Sequence, residues 1–167
     1  LQTDQVDAEL LSEQQIAVPV DPRAGDGNGR YNTFVNCGLP LSEYEVEIRN
    51  SAGRVLPERH CGALYLRGPS VMSGYWGNPE STREVLSEDG WLNTGDLAYQ
   101  IGSSVIITGR EKDLIIIHGR NIWPQDIEYL ADSQPEIVTR TAFAVSVPGP
   151  DGAEQAIVMV QCCVSDW

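Results

Sequence analysis

The sequence predicts an α+β, β-rich fold: a small distorted β-barrel subdomain, or a small sandwich, over residues 1–110, then the truncated start of an α+β domain over residues 111–167. Three observations predict it. Short runs alternating apolar and polar residues, separated by Gly, Pro and Asn turns, fill the first part. The consecutive aliphatics Leu114 to Ile117, followed by a helix start at Pro124, mark a change of pattern. The two β-rich runs that come next, Thr141 to Val147 and Ala156 to Cys163, read as an antiparallel pair with too little chain left to close a core of its own.

Taken in order, Asp4 to Gln15 carries Val6, Ala8, Leu10 and Leu11 among acids and amides and predicts a short surface helix. Ile16 to Val20 reads as a strand, and residues 21–32 as a Gly/Asp/Asn loop. That loop lacks the alternating ligands and closing Glu of a calcium site. Strands are expected at Thr33 to Cys37, Tyr44 to Arg49 and Gly62 to Arg67, with Arg54 to Pro57 returning across an Asn-Ser-Ala-Gly turn. Asn78-Pro79-Glu80 starts a helix: Asn caps, Pro has its φ preset for the first position, and Glu meets the positive end of the dipole. Leu97 to Ile101 and Val105 to Thr108 pair as a hairpin across Gly102-Ser103. Leu114 to Ile117 is expected to be a strand buried on both faces, Pro124 to Asp132 a helix, and Gln134 to Thr139 a further helical turn.

Composition narrows the function. With 24 acidic and 11 basic residues the net charge is −13, so a phosphate backbone is repelled and nucleic acid is set aside, while a few local donors can still hold one nucleotide. Hydrophobic residues make up 41 %, enough for a real core, yet no apolar run is long enough for a membrane span. The four cysteines, Cys37, Cys61, Cys162 and Cys163, show no zinc-ligand spacing and are expected to be ordinary buried thiols. Few cysteines, no Asn-x-Ser/Thr site and no visible secretory leader fit a cytoplasmic protein, and a start at Leu1 without Met reads as a piece of a longer one.

Two stretches carry chemistry. In Thr94-Gly95-Asp96, a carboxylate offers two oxygens at the spacing of a vicinal diol, and the Gly before it permits close approach; a plain turn Asp is the other reading. The second stretch is Gly109-Arg-Glu-Lys-Asp-Leu-Ile-Ile-Ile-His-Gly-Arg-Asn-Ile-Trp-Pro-Gln-Asp-Ile-Glu128, where Arg110, Lys112, Asp113, His118 and Arg120 crowd the ends of an apolar strand. Lys112 alone reads as a solvated strand-start residue, and His118 as a solvated lone histidine. Tyr75 and Trp76 read as core aromatics.

These stretches resemble the hinge region and nucleotide motifs of the adenylate-forming enzymes (acyl-CoA ligases, peptide-synthetase adenylation domains, luciferase). Within them, His118-Gly-Arg-Asn followed by Trp-Pro-Gln-Asp-Ile-Glu, together with Val6 to Val20 and Phe34-Val-Asn-Cys-Gly-Leu-Pro40, is most similar to fatty acyl-AMP ligases. Gly62 to Gly68 and Ser73 to Trp76 resemble a further family motif, with Ala63 where Glu is usual and Arg67 and Gly74 read as structural. The resemblance implies that residues 1–110 belong to the large adenylating domain and 111–167 to the hinge and a mobile C-terminal domain. It implies that Asp96 holds both ribose hydroxyls of ATP, that Arg110 serves the same ribose and the neighbouring phosphate, and that Lys112 is the pivot. It implies no catalytic residue within this chain: the phosphate loop lies upstream and the catalytic Lys downstream. It implies ATP with Mg²⁺, a fatty acid substrate, and an acyl carrier protein as acceptor, or CoA in the alternative reading. A non-catalytic nucleotide-binding or docking module is the third reading, for which Arg67, Lys112, Arg120 and Arg140 would have to cluster.

Overall fold

The computed structural model describes residues 2–21, 30–117, 120–149 and 154–162. The chain divides into two units, Leu1–Glu111 and Lys112–Trp167. Strands outnumber helices in both, in line with the β-rich α+β class.

In the first unit, β1 (Thr3–Asp7) runs antiparallel to β2 (Tyr31–Val35), with Thr3 opposite Val35 and Asp7 opposite Tyr31. Between them, α1 (Ala8–Gln14) starts where Asp7 accepts a hydrogen bond from the Leu10 amide at 2.9 Å. The helix expected over Asp4 to Gln15 is therefore only its second half. Thr3–Asp7 pairs as a strand and buries Val6, and Asp7 is the cap that separates strand from helix. Ile16 to Val20 is not a strand but a segment with isolated bridges, Ile16 to His60 and Pro19 to Val6; Pro19 has no N–H for a ladder.

β3 (Glu45–Arg49), β4 (Gly62–Arg67), β5 (Leu92–Ile101) and β6 (Ser104–Arg110) form a four-stranded antiparallel sheet in chain order. The Arg54 to Pro57 return is reduced to one bridge, Val55 to Arg49. Neither sheet closes on itself among the described residues. Isolated links carry the chain round instead: Asn36 bridges to Ile106, the Cys37 amide bonds to the Val105 carbonyl, and the Ala17 amide to the Arg59 carbonyl. Distorted, open sheets joined by bridges thus stand where a small barrel was expected. Helix α2 (Pro79–Val85) begins as its sequence dictates, with Asn78 accepting from the Ser81 amide at 3.0 Å.

β5 is buried on both faces. On one, Ala98 packs with Ile48, Leu64 and Val105. On the other, Tyr99 and Ile106 are opposite each other and fully buried, and Phe34 meets the Tyr99 ring edge-on at 6.4 Å. At about 1.5–3 kcal/mol per buried aliphatic or aromatic side chain, these layers make β5 the most strongly held strand of the unit.

The second unit holds β7 (Ile115–Ile117) paired with β8 (Arg120–Ile122), α3 (Pro124–Asp132), and β9 (Phe143–Pro148) antiparallel to β10 (Glu154–Met159). β7 is not buried on both faces: successive side chains point to opposite faces, and Ile115 is buried while Ile116 is exposed. Gln134 to Thr139 is not helical. After a single turn bond from the Ile137 amide to the Gln134 carbonyl, Ile137 bridges to Cys162 and the Val138 amide bonds to the Gln161 carbonyl, a strand-like contact. One 3₁₀ turn, Glu111–Asp113, carries the chain from the first unit into the second.

Candidate nucleotide-contact site

β5 and β6 place the two candidate ligand residues. The backbone before Asp96 is pinned by side chains. Asn93 accepts from the Gly95 amide at 3.0 Å, and the Thr94 hydroxyl accepts from the Asp96 amide at 3.1 Å while donating to the Leu64 carbonyl of β4 at 3.1 Å. Gly95 sits at φ +76°, a conformation closed to most residues with a Cβ. Asp96 is thus a strand residue on a kinked, anchored backbone and not a loop-turn Asp.

Directly opposite Asp96 in the β5–β6 register is Arg110, whose Nε forms an ion pair with Asp96 Oδ1 at 3.2 Å. The Arg110 side chain is 67 % exposed and that of Asp96 23 % exposed. Such an open ion pair contributes only about 0–1 kcal/mol to stability. It leaves a carboxylate and a guanidinium side by side at the surface, where a diol and a phosphate oxygen can be taken by charge-assisted hydrogen bonds. Lys112, on the 3₁₀ turn, is two positions beyond Arg110.

Two clefts of this unit are lined by neither residue. One, of about 500 Å³, has Glu43, Glu45, Arg67 and Met72 in its wall; the other, of about 290 Å³, has Cys37, Leu39, Leu41 and Tyr44. Chemistry favours the ion pair over cavity size, because the first cleft is flanked by Glu43 and Glu45, with Arg67 already paired to Glu45, and the second is lined mainly by apolar side chains.

Arg67, read as structural, makes a forked ion pair with Glu45, with Nη2 at 2.7 Å from both oxygens, and lies 4.7 Å from the Trp91 ring centroid. Arg49 stacks on the same ring at 4.8 Å. This Arg–Trp–Arg stack across β3 and β4 escapes sequence reading because its members are far apart in the chain. Glu128 is also structural: it accepts from the Ala144 amide at 3.0 Å, tying α3 to β9.

Tyr75 and Trp76 are not core aromatics. Both are exposed, Trp76 fully so, on a turn between Gly74 at φ +144° and Gly77 at φ +67° that lifts them off the sheet. Nor are the cysteines uniformly buried. Cys37 and Cys162 are exposed and Cys61 is buried, where loss of hydration pushes its thiol up to about 11. His118, Cys163 and residues 22–29 of the Gly/Asp/Asn loop lie outside the described residues. Among the described residues no group of three His, Cys, Asp or Glu side chains could hold a metal ion. No helix among them is long and apolar enough to cross a membrane.

Residues 16–76 match the AMP-binding enzyme family. A putative acyl-CoA synthetase of Caulobacter vibrioides is 42 % identical over 96 % of this chain and 27 % of its own length. A solved structure from work on fatty acyl-adenylate ligases of E. coli and L. pneumophila superposes with a TM-score of 0.83 at 43 % identity, covering 99 % of this chain and 28 % of that one. ATP-bound MatB from Rhodopseudomonas palustris superposes with a TM-score of 0.65 at 32 % identity, over 84 % of this chain and 27 % of that one. The chain belongs to the AMP-binding, adenylate-forming enzyme family. It spans about a quarter of the length of the relatives it matches.

Proposed function

We propose that this chain is part of a longer ATP-dependent fatty acyl-AMP ligase, residues 1–110 belonging to its large domain and 111–167 to the hinge and a mobile C-terminal domain. The enzyme joins a fatty acid carboxylate to AMP, releasing pyrophosphate, and hands the acyl group to the phosphopantetheine thiol of an acyl carrier protein. One observation carries the reading: Asp96, midway along β5 on a backbone that Asn93 and Thr94 hold in place, stands opposite the exposed Arg110 at the end of β6.

ATP supplies the α-phosphate that activates the carboxylate. Asp96 would accept the two ribose hydroxyls, and Arg110 would donate to the ribose and the adjacent phosphate, so the chain's contribution is to fix the nucleotide. Mg²⁺ would neutralise phosphate charge, and no described residue here is assigned to it. The absence of Asp96 and Arg110 from either cleft wall fits a two-residue clamp completed by parts of the enzyme beyond this chain.

The full-length enzyme is to be assayed for acyl transfer with carrier protein and with CoA. Transfer to the carrier protein alone supports the reading, whereas transfer to CoA alone makes it an acyl-CoA ligase. ATP binding unchanged by Asp96→Ala, measured by calorimetry, removes the nucleotide assignment altogether.

A further inference from the structure

The β5–β6 ladder contains a bulge between Leu97 and Ala98, and its extra residue is Thr108. Leu97 is opposite Gly109 while Ala98 is opposite Ile107, which leaves Thr108 without a counterpart. The arithmetic of the register follows directly. Were the pairing of Ala98 with Ile107 continued unbroken, Asp96 would face Gly109, and Arg110 would fall one residue out of step. A one-residue slip sends a side chain to the other face of the sheet. The Asp96–Arg110 pair exists because this bulge exists.

Thr108 also carries the hydrogen bonds that hold the bulge. It is buried, 6 % exposed. Its hydroxyl donates to the Leu97 carbonyl at 3.1 Å, across the point where the ladder shifts. On the other side the Cys61 sulfur lies 3.4 Å from the same oxygen. Since Thr108 spends its proton on Leu97, Cys61 is the donor there, and the thiol, kept protonated by burial, suits that part. A chain of thiol, hydroxyl and carbonyl therefore runs from the start of β4 through β6 to the residue next to Asp96.

We propose that Thr108 is a positioning residue for nucleotide binding: its buried hydroxyl fixes the bulge that sets Arg110 opposite Asp96. The proposal rests on the reading of that pair as the ATP contact. Thr108→Val keeps the shape and removes the hydroxyl; Thr108→Ser keeps the hydroxyl and trims the methyl.

In the full-length enzyme, Thr108→Val is expected to raise the Kd and KM for ATP about tenfold, the effect of one lost buried hydrogen bond passed on to a charged pair, with the fatty acid KM unchanged. Thr108→Ser is expected to bind ATP within about twofold of wild type. In an Arg110→Ala background Thr108→Val should add nothing, because the residue through which it acts is gone. If Thr108→Val does not fold, the smaller Thr108→Ala is read in its place. Equal loss for ATP and fatty acid with a lowered Tm, or wild-type ATP binding by the Val and Ala variants, overturns the proposal. If Asp96→Ala and Arg110→Ala themselves leave ATP binding intact, the nucleotide reading falls and the proposal with it. If those two lose ATP while Thr108→Val does not, only the positioning role falls.

Discussion

Tyr99 donates a hydrogen bond to Asp4 at 2.7 Å across 95 residues of chain, from the middle of β5 to β1. The same carboxylate takes Arg59 at 3.1 Å, and Arg59 also donates to the Ala17 carbonyl at 2.9 Å. Arg59 itself sits at φ +63°, a strained setting for a residue with a Cβ, which its side-chain bonds to Asp4 and the Ala17 carbonyl hold in place. Burial first, then the Asp4 hydrogen bond and charge, push the Tyr99 hydroxyl well above its ordinary titration range, so it remains a donor at any working pH. The network thus ties the N-terminal strand, the bridging segment after α1 and the 57–61 turn to the strand that bears Asp96.

Removing Tyr99's hydroxyl leaves Asp4 still paired with Arg59, so Tyr99→Phe should cost about 1–2 kcal/mol. Asp4→Ala strands a buried hydroxyl and a half-buried guanidinium together and should cost about 3 kcal/mol or more. Urea midpoints in the full-length protein check the order. An Asp4→Ala variant as stable as Tyr99→Phe would show that Arg59 finds water instead.

Arg110 and Asp96 should behave in the opposite way. Their ion pair is open, so Arg110→Ala is expected to shift stability by no more than about 1 kcal/mol. Asp96→Ala should weaken ATP binding by roughly 3–5 kcal/mol, the sum of two charge-assisted hydrogen bonds. Calorimetry for binding and thermal unfolding for stability separate the two quantities. A large loss of stability with intact ATP binding would make the pair structural.

Why some of this was legible in the sequence, and some not, follows from the range of the interactions involved. β4, α2 and α3 are written locally: alternation over Gly62 to Arg67, the Asn78-Pro79-Glu80 start, and Pro124 opening its helix. Thr94-Gly95-Asp96 and Gly109-Arg110 could be picked out as motifs, but their register could not. The bulge depends on Thr108 reaching Leu97 and Cys61, contacts that no period of two or 3.6 encodes. Tyr75 and Trp76 misled for the converse reason. Large aromatics average inward, and only the backbone at Gly74 and Gly77 shows that this turn points them out. Asp4 to Gln15 misled because Asp7 ends one element and caps the next, so two elements were read as one.

Gly62 marks a close approach of two backbones. A Cβ there would lie 2.5 Å from the Arg49 carbonyl oxygen of β3 and 2.6 Å from the Leu56 side chain. Leu56 can rotate away but the β3 backbone cannot without breaking its ladder with β4. Gly62→Ala is therefore expected to destabilise the first unit by about 1–3 kcal/mol, the usual cost of overpacking. A chemical-denaturation midpoint unchanged from wild type would show that β3 yields.

Cys61 gives the fold an alkaline limit. Burial raises its thiol from 9.0 to about 11 in the folded chain. Between those values the unfolded state has released the proton and the folded state has not. The stabilisation is therefore complete below pH 9, falls as pH rises, and is gone above about 11. Two pKa units correspond to roughly 2–3 kcal/mol. Stability measured at stepped pH should fall across this window in wild type and fall less in Cys61→Ala. Parallel curves for the two proteins would assign the alkaline loss to Tyr99 or other groups.

Lys112 is the first residue of the second unit and lies inside the Glu111–Asp113 turn of 3₁₀ helix. A 3₁₀ turn is short and held by few hydrogen bonds, so a change of φ and ψ there costs little compared with one inside a strand or long helix. If the C-terminal part swings between adenylation and transfer poses about this residue, fixing its φ near −65° with Lys112→Pro removes one pose. Lys112→Ala removes the charge and leaves the backbone free, so it serves as the control. The expectation is that Lys112→Pro slows acyl transfer from preformed acyl-AMP by about tenfold or more while pyrophosphate exchange, which reports adenylation, changes little. Lys112→Ala should leave both half-reactions near wild type. Equal slowing of the two steps by proline would mean that the substitution damages the enzyme generally. Slowing by alanine of the same size would mean that the ammonium group, and not backbone rotation, matters at this position.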